Sequence, residues 1–469
     1  MNAIGPMAEV VREGERLVHA GRFAEGEARA EEALAREPSN ARARYVLGLS
    51  ALLQKRPADG LAQMDRAVAV DPGNAQCHFG RGACLAALGR VDDSAHAYRR
   101  ALELKPAFFE AAANLGNVLE NAGRYAEGAA AYRQALALRA DEPLVLNGLG
   151  RCELESGDPA AAAAALGRAL ALRPDFASAM NNLANAVARL GERQRAVELL
   201  RQAVKIRPDF VEAWHSLAER LYMLHRDAEA LEAYDRVLAL DPSNGIARHT
   251  RDAIAGAAAE RAPDDYVRRF FDKFAPVFDR RLVEDLEYRT PARMAQFLAP
   301  WLEGREGLRV ADLGCGTGLA GISIRPKAAS LAGVDLSPKM LDRARERGIY
   351  DELHCEEIAG WLEKREPASL DLALAVDVLV YVGNLEPVVR ACAKALRPGG
   401  LFAFSVERLE PRGSEDYRLA RTGRYAHADP YVRHLASSAG LEVAASEETD
   451  LRKDDGKPVR GTLYALRKP

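Results

Sequence analysis

Features that mark several common classes of protein are missing from this chain of 469 residues. Its six cysteines are scattered and form no Cys-x-x-Cys pair, so neither a disulfide framework nor a metal site is expected. No run of about 18 uncharged apolar residues occurs, and the first residues show no signal-peptide pattern. A net charge of −3 gives no electrostatic reason to expect nucleic acid. These absences predict a cytoplasmic protein without a membrane span, a bound metal ion or a nucleic-acid partner.

The first half of the chain repeats with a period of 34 residues. One position of the period holds proline in six copies, at Pro38, Pro72, Pro106, Pro174, Pro208 and Pro242. A second position holds glycine in five copies and Lys55 and His225 in the other two: Gly21, Gly89, Gly123, Gly157 and Gly191. Proline ends a helix and glycine suits a turn with positive φ. The period therefore predicts pairs of helices joined by tight turns.

Two further positions of the period hold mostly small residues, as at Ala33 and Gly48, where helices are expected to cross closely. The pattern resembles the tetratricopeptide repeat and covers residues 7–244 as seven repeats. A single repeat cannot bury its apolar face alone, so stacked repeats share one core and form a concave groove. We predict an all-α superhelix over residues 1–260, with a capping helix after the seventh repeat.

Asparagines stand three residues apart on the first helix of two predicted repeats, at Asn114 and Asn117 and at Asn182 and Asn185. They resemble the asparagine ladder that grips peptide backbones in the superhelix of the O-linked N-acetylglucosamine transferase. The resemblance implies a protein or peptide partner in the groove. Other residues occupy the equivalent places elsewhere, so the ladder is incomplete. The alternative is that these asparagines are solvated or bond neighbouring repeats.

The periodicity stops after Ala259, and a short polar break around Pro263 predicts a second domain over residues 261–469. Aromatic residues then recur at helical spacing between residues 266 and 278. They predict either a helix packed on the following domain or a lid over a cofactor. Within the same segment, Tyr288 and Arg289 are candidates for such lid contacts.

A strand pattern at residues 308–313 runs into the glycine loop 314–318, and a second strand pattern ends at Asp335. This order places backbone N–H groups and a carboxylate around one ligand, and the carboxylate suits a ribose diol. The loop also matches the dinucleotide pattern GxGxxG. Asp312, which precedes the loop, opposes a pyrophosphate, whereas an amino group and a sulfonium favour a nearby negative charge.

Three segments resemble class I S-adenosylmethionine-dependent methyltransferases: ADLGCGTG at 311–318, GVDLSPKML at 333–341 and LRPGG at 396–400. With the repeats in front, the chain resembles bacterial predicted methyltransferases that carry tetratricopeptide repeats. The resemblance implies an α/β Rossmann-like domain with a seven-stranded mixed sheet behind the solenoid. It also implies S-adenosylmethionine as the cofactor and S-adenosylhomocysteine as the product.

The resemblance further implies the residues that contact the cofactor. Those expected at the methionine end are Asp312, Gly314, Gly316 and Gly318, and Asp335 is expected at the ribose. Leu336 and Met340 flank the adenine or simply pack between helix and sheet. The residues expected near the adenine amino group are Glu356, Glu357 and Ile358, with Glu356 preferred and Glu357 left open.

No motif fixes a catalytic residue. Asp377, at the end of the fourth strand pattern, and Tyr381 are the candidates, and Asp377 is also expected near the cofactor. Glu407 and His427 are further candidates for a general base, although the favoured interpretation of His427 is an exposed loop histidine. The basic and aromatic residues of the 408–429 loop bind an anionic acceptor or form a solvated face: Tyr417, Arg418, Arg421, Arg424 and Tyr425.

The predicted function is methyl transfer to an unidentified acceptor, with the repeat groove recruiting a protein substrate or partner. Two alternatives are a small-molecule methyltransferase whose repeats serve assembly, and an adaptor whose methyltransferase-like half only binds the cofactor.

Overall fold

A computed structural model describes residues 6–257, 259–275, 278–280, 289–410, 415–454 and 456–469. The chain divides into two compact units, Met1–Arg226 and Asp227–Pro469. In the described ranges, no helix is long and apolar enough to cross a bilayer.

The first unit consists of helices that follow one another in hairpins: α1 (Pro6–His19), α2 (Phe23–Arg36), α3 (Ala41–Leu53), α4 (Pro57–Val70), α5 (Ala75–Ala87), α6 (Val91–Leu104), α7 (Phe109–Asn121), α8 (Tyr125–Leu138), α9 (Pro143–Glu155), α10 (Pro159–Leu172), α11 (Ala177–Arg189), α12 (Arg193–Ile206) and α13 (Val211–Met223). From α2 onward, the second helix of each pair begins 34 residues after the previous one, and the prolines follow two residues after such a helix. The predicted all-α solenoid is therefore confirmed.

The turns between paired helices adopt the left-handed backbone that the glycine positions predict. Gly89 and Gly123 have φ values of 71° and 74°. The two exceptions to glycine obey the same geometry, because Lys55 and His225 have φ values of 60° and 58°. The turn thus keeps its shape where the sequence pattern changes.

Close helix crossings explain the small residues of the period. A Cβ atom on Gly82 would lie 2.8 Å from the ring of Tyr98. A Cβ on Gly116 would lie 2.6 Å from the ring of Tyr132, one repeat later. Core packing leaves no room for such overlap, so these positions select glycine.

The second unit begins with α14 (Asp227–Leu240) and α15 (Gly245–Ala255). Its other helices are α16 (Asp264–Phe274), α17 (Phe278–Arg280), α18 (Thr290–Leu302), α19 (Leu319–Ile324), α20 (Pro338–Arg347), α21 (Ile358–Glu363), α22 (Glu386–Ala395) and α23 (Asp429–Ser438). Its strands are β1 (Leu308–Leu313), β2 (Ala328–Asp335), β3 (Glu352–Cys355), β4 (Leu370–Ala375), β5 (Leu396–Arg408), β6 (Tyr417–Leu419), β7 (Tyr425–His427), β8 (Glu442–Asp454) and β9 (Lys457–Arg467).

The strands form one mixed sheet. Strands β3, β2, β1, β4 and β5 lie side by side in that order and run parallel. Strand β9 pairs antiparallel with β5, and β8 pairs antiparallel with β9. These seven strands are the predicted mixed sheet. All residues of β4 are buried, as expected for a parallel strand covered on both faces.

The structure differs from the sequence prediction at two places in the sheet. A short hairpin, β6 and β7, extends the sheet beside the end of β5, where only a loop was expected. From the sequence, short strands are expected at 441–445 and 461–466 with the charged stretch between them as a connection, but residues 450–460 instead continue β8 and β9 almost to their turn. Along an antiparallel hairpin, exposed charged side chains alternate with inward-facing ones. The charged residues therefore made this stretch resemble a connection in the sequence, although it forms strands.

Helices α14 and α15 contact the α/β part of the second unit. The Arg421 guanidinium donates to the Asp227 carboxylate at 2.9 Å. The ring of His249 bonds the carbonyl of Gly423 at 2.8 Å, and the Asp265 carboxylate accepts the Gly245 N–H at 3.1 Å. These bonds join residues before 261 to the turn between β6 and β7 and to α16.

Candidate active site

The glycine loop turns sharply between β1 and α19. Gly314 and Gly316 have φ values of 66° and 55°, a conformation that glycine adopts without strain. The N–H groups of Gly314 and Cys315 donate to the carbonyl of Val334 on β2, at 2.7 and 3.0 Å. A Cβ on Gly316 would meet nothing closer than the Phe278 ring at 3.9 Å, so this side of the loop is open to a ligand.

The carboxylate of Asp335 lies at the end of β2, beside the loop. Its Oδ2 accepts the N–H of Gly316 at 2.9 Å, and its Oδ1 accepts the N–H of Ser337 at 2.8 Å. The backbone N–H of Leu336 also bonds this carboxylate, which leaves part of its acceptor capacity for a hydroxyl donor. Burial raises the pKa of Asp335 to about 6, although the backbone N–H groups lower it. The group is therefore ionised at neutral pH.

A cavity of about 330 Å³ adjoins the loop and Asp335. Aromatic side chains from α16 and α17 form much of its wall: Phe270, Phe271, Phe274 and Phe278. Phe271 meets Phe270 and Tyr381 edge to face, with ring centroids 5.3 and 5.4 Å apart. The helix of recurrent aromatics thus borders a cavity, which fits the lid interpretation better than packing alone.

Two of the predicted methionine-end residues do not reach the cavity. Asp312 is 1% exposed and accepts the hydroxyl of Tyr350 at 2.6 Å, behind the loop. Burial raises the pKa of Asp312 to about 6. Gly318 also turns toward Tyr350, whose ring would lie 3.0 Å from an added Cβ. Gly314 and Gly316 do border the cavity.

The predicted adenine-contact residues divide in the same way. Leu336, Glu357 and Ile358 line the cavity. Glu357 also caps α21 by accepting the Gly360 N–H at 2.8 Å. Met340 is fully buried, and Glu356 pairs with Lys364 away from the cavity wall. The geometry therefore favours Glu357 over Glu356.

The cavity wall also carries a buried cluster of charges. Asp377, with a φ of 57°, accepts the Nη1 of Arg452 at 2.7 Å and donates its N–H to Ser405. Arg452 also bonds Glu407 and is only 4% exposed. Burial opposes its charge, yet the carboxylates of Asp377 and Glu407 raise the pKa of Arg452. Asp377 and Arg452 both line the cavity.

Two further residues complete this end of the cavity. Tyr381 is 8% exposed, and burial raises its pKa although Arg424 bonds its side chain and lowers it. Arg424 also pairs with Asp454 at 3.1 Å. Among the basic residues of the 408–429 loop, Arg424 lines the cavity, whereas Arg418 pairs with Glu415 at the surface.

His427 is not the exposed loop residue expected from the sequence. It is 1% exposed on β7, and its Nε2 lies 2.8 Å from the carbonyl of Val382 and 3.1 Å from that of Gly383. Burial lowers its pKa to about 4, so the ring is neutral and donates to these carbonyls. The expectation failed because β6 and β7 were not foreseen. Tyr288 lies outside the described residues, and Arg289 is exposed.

The asparagines of the first unit are partly engaged within the solenoid. The amide of Asn182 donates to Asn147, one repeat earlier, at 2.9 Å. Asn121 donates to Asn117 at 3.2 Å, and Asn114 bonds Tyr98. These contacts are the inter-repeat and local bonds that the alternative interpretation described. The groove role of the asparagines remains a prediction.

Two residues at or next to the site were missed from the sequence. Arg452 stands in the charged run LRKDD, which is typical of solvated surface, and nothing nearby marks it as buried. Tyr350 follows α20 with no motif around it. Both reach the site through contacts with residues 38 or more positions away, which local patterns do not report.

The sheet order, the glycine loop and the acid at the end of β2 define the α/β fold of class I methyltransferases. A family model for a methyltransferase domain matches residues 311–402. Tetratricopeptide-repeat models match 11–75, 56–107, 85–144, 113–175, 153–221 and 211–244.

Curated relatives agree with the family models. The ubiquinone biosynthesis O-methyltransferase of Ralstonia nicotianae is 30% identical over 224 residues, which are 42% of this chain and 87% of the relative. The protein of the same description from Cupriavidus pinatubonensis is 30% identical over 200 residues, 37% of this chain and 76% of the relative. The chain belongs to the methyltransferases that carry N-terminal tetratricopeptide repeats.

Among solved structures, the C-terminal part of a TPR repeat-containing protein from Cytophaga hutchinsonii aligns with 15% identity and a TM-score of 0.42. The alignment covers 51% of this chain and 98% of that chain. The assignment of the repeats rests on the family models and on the 34-residue spacing of the helices.

Proposed function

We propose that the second unit transfers the methyl group of S-adenosylmethionine to an acceptor and releases S-adenosylhomocysteine. The observation that carries the proposal is the pairing of Asp335 with the N–H of Gly316 at the edge of an apolar cavity. It joins a glycine loop with an open face to a carboxylate that keeps some acceptor capacity beyond its backbone hydrogen bonds.

The residues present suit this cofactor better than a dinucleotide. Two carboxylates, Asp312 and Asp335, lie beside the loop, and their negative charge disfavours a pyrophosphate. The same charge favours the amino group and the sulfonium of S-adenosylmethionine. Leu336 and Ile358 supply apolar walls for a flat base.

In this proposal, the open face of the glycine loop at Gly314 and Gly316 lies against the methionine end and Asp335 accepts the ribose hydroxyls. Glu357 is the residue assigned to the adenine amino group, since it lines the cavity and carries an acceptor oxygen. S-adenosylmethionine supplies a methyl group that is already activated by its sulfonium. The chain therefore contributes mainly orientation and exclusion of water, and orientation alone is worth about 7–11 kcal/mol.

The acceptor end of the cavity is assigned to Asp377 and Tyr381. Asp377 uses its Oδ1 for Arg452, and its Oδ2 has no partner among the described residues. That oxygen is available to take the proton of an acceptor hydroxyl. Arg452 keeps the side chain of Asp377 fixed, and the phenylalanines of α16 and α17 exclude water from the same space.

For the first unit, we propose that the repeat groove recruits a protein substrate or a partner that delivers the acceptor. A small hydroxyl-bearing acceptor is a second candidate for the chemistry. It is favoured by the curated relatives, which are described as O-methyltransferases, and by a cavity lined with phenylalanines.

Titration calorimetry with S-adenosylhomocysteine tests the cofactor site directly. A lysate supplied with methyl-labelled S-adenosylmethionine and the protein, then separated into macromolecular and small-molecule fractions, tests the acceptor. Label in protein supports recruitment by the groove, and label in small molecules supports the second candidate. Binding without label in either fraction would leave an adaptor, contrary to the proposal.

A further inference from the structure

Tyr350 lies between α20 and β3 and reaches under the glycine loop. Its hydroxyl donates to Oδ2 of Asp312 at 2.6 Å. Burial and the nearby Asp312 charge raise the pKa of Tyr350, so the hydroxyl keeps its proton and remains a donor. The carboxylate also accepts the backbone N–H of Gly321.

Three glycines make the space for this ring. An added Cβ on Gly318 or Gly333 would come within 3.0 Å of the Tyr350 ring, and one on Gly321 would overlap its hydroxyl. Gly321 is the third glycine of the GxGxxG pattern. Here it admits a phenol to a buried carboxylate, which explains the pattern without a pyrophosphate.

We infer that Tyr350 is a positioning residue that holds Asp312, and through Asp312 the glycine loop, in the geometry that receives the cofactor. Asp312 belongs to β1 and Gly321 to α19, so one carboxylate fastens the two ends of the loop. Tyr350 fixes the orientation of that carboxylate. The inference rests on the proposed binding of S-adenosylmethionine.

A neighbouring contact acts in the same direction. Arg347, at the end of α20, donates its Nε to the carbonyl of Thr317 at 2.5 Å. The end of α20 and the turn that follows it therefore support the loop at two points: Arg347 bonds a carbonyl within the loop, and Tyr350 bonds the carboxylate before it.

The charged and titratable groups around Asp312 set the expected pH response. They are Asp335 on β2, Cys315 in the loop, and Tyr350, beside which lies Arg347. Burial and Asp335 raise the pKa of Asp312, whereas the Tyr350 hydroxyl lowers it. Without the hydroxyl, Asp312 takes up a proton at a higher pH and the loop loses its negative charge earlier.

The test compares wild-type protein with Tyr350→Phe by calorimetry with S-adenosylhomocysteine between pH 5.5 and 8.5. We expect the midpoint below which affinity falls to move up by about one pH unit in the variant. Tyr464→Phe is the matched control, because Tyr464 donates to Asp429 at 2.7 Å elsewhere in the unit. Its binding profile should follow the wild type.

Asp312→Asn completes the design, since an amide at this position does not titrate. Adding Tyr350→Phe to Asp312→Asn should leave the pH profile where the single Asp312→Asn variant has it. An unshifted profile for Tyr350→Phe, or an equal shift when it is added to Asp312→Asn, would overturn the positioning role even if thermal stability fell. Wild-type protein that binds no S-adenosylhomocysteine at any pH would contradict the proposed function itself and remove the positioning role with it.

Discussion

Asp377 and Arg452 are 75 positions apart in the chain and share a hydrogen bond of 2.7 Å at the wall of the cavity. The backbone of Asp377 is in the left-handed conformation. This conformation costs a non-glycine residue roughly 1–2 kcal/mol. Strain of this kind persists where surrounding contacts fix it, and it concentrates at functional sites. Ser405 and Arg452 are the contacts that fix it here.

Asp377→Asn should reduce methyl transfer about 100-fold or more, because it removes the oxygen assigned to the acceptor proton. Asparagine tolerates the same backbone, so the fold should persist. Incorporation of label into the acceptor fraction measures the loss, and unchanged S-adenosylhomocysteine affinity serves as the control. Full activity in this variant would exclude Asp377 as the proton acceptor.

Asp335→Ala should weaken binding of S-adenosylhomocysteine about 100-fold, the effect of losing hydrogen bonds to a charged acceptor worth about 3 kcal/mol together. Asp351→Asn is the matched control, because Asp351 accepts the Leu331 N–H at 2.7 Å outside the cavity. Calorimetry at pH 8 measures both variants. Equal affinities would remove Asp335 from the ribose site.

Lys55→Gly should stabilise the first unit by about 0.5–1 kcal/mol, since glycine occupies positive φ without a steric penalty. Gly89→Lys is the reverse change at the equivalent position and should destabilise by a similar amount. Urea unfolding followed by circular dichroism compares the two. A loss of stability in Lys55→Gly would show that the Lys55 side chain contributes more than its backbone costs.

His427 makes the stability of the second unit depend on pH. Its pKa is lowered from 6.5 to about 4, so the folded state holds the neutral ring. The stability it contributes is present above pH 6.5 and is lost as the pH falls toward 4, by about 3 kcal/mol in total. Thermal unfolding at pH 7.5 and 4.5 should show a smaller difference for His427→Gln than for wild type. The exposed His434→Gln should behave as wild type.

The start of the second unit can be located with two fragments. A fragment of residues 227–469 keeps the bonds of Arg421, Gly423 and Asp265 to the preceding helices, whereas 261–469 loses all three. We expect the longer fragment to bind S-adenosylhomocysteine like the whole chain, and the shorter one to melt several degrees lower. Equal melting temperatures would favour the boundary at residue 261 predicted from the sequence.

The repeats could be predicted from the sequence because each element is specified by residues close together in the chain and the pattern occurs seven times. Proline, glycine and small residues report helix ends, turns and crossings, and each of these depends on residues nearby. The same holds for β1, which the apolar pattern predicts at 308–313 as the structure has it. Strands β8 and β9 were underestimated because charged residues face solvent along a hairpin whose pairing is not visible in the sequence.

Only part of the candidate site could be predicted from the sequence. The loop glycines, Asp335 and Asp377 stand in motifs or at strand ends, where local chemistry suggests their roles. Tyr350 and Arg452 are placed by tertiary contacts, so their residue type alone carries no signal. His427 was likewise expected at the surface, but tertiary contacts bury it.

The phenol beneath the glycine loop bears on engineering. Anyone who transplants residues 311–321 into a new scaffold would carry two of the three glycines but leave behind the ring that they accommodate. The graft would have a cavity in place of the Tyr350 ring, and the Asp312 carboxylate would lack its hydrogen-bond donor. A working transplant needs the turn after α20 as a companion piece, so the portable unit of this binding motif is the whole β-α-β-α segment and not its signature peptide.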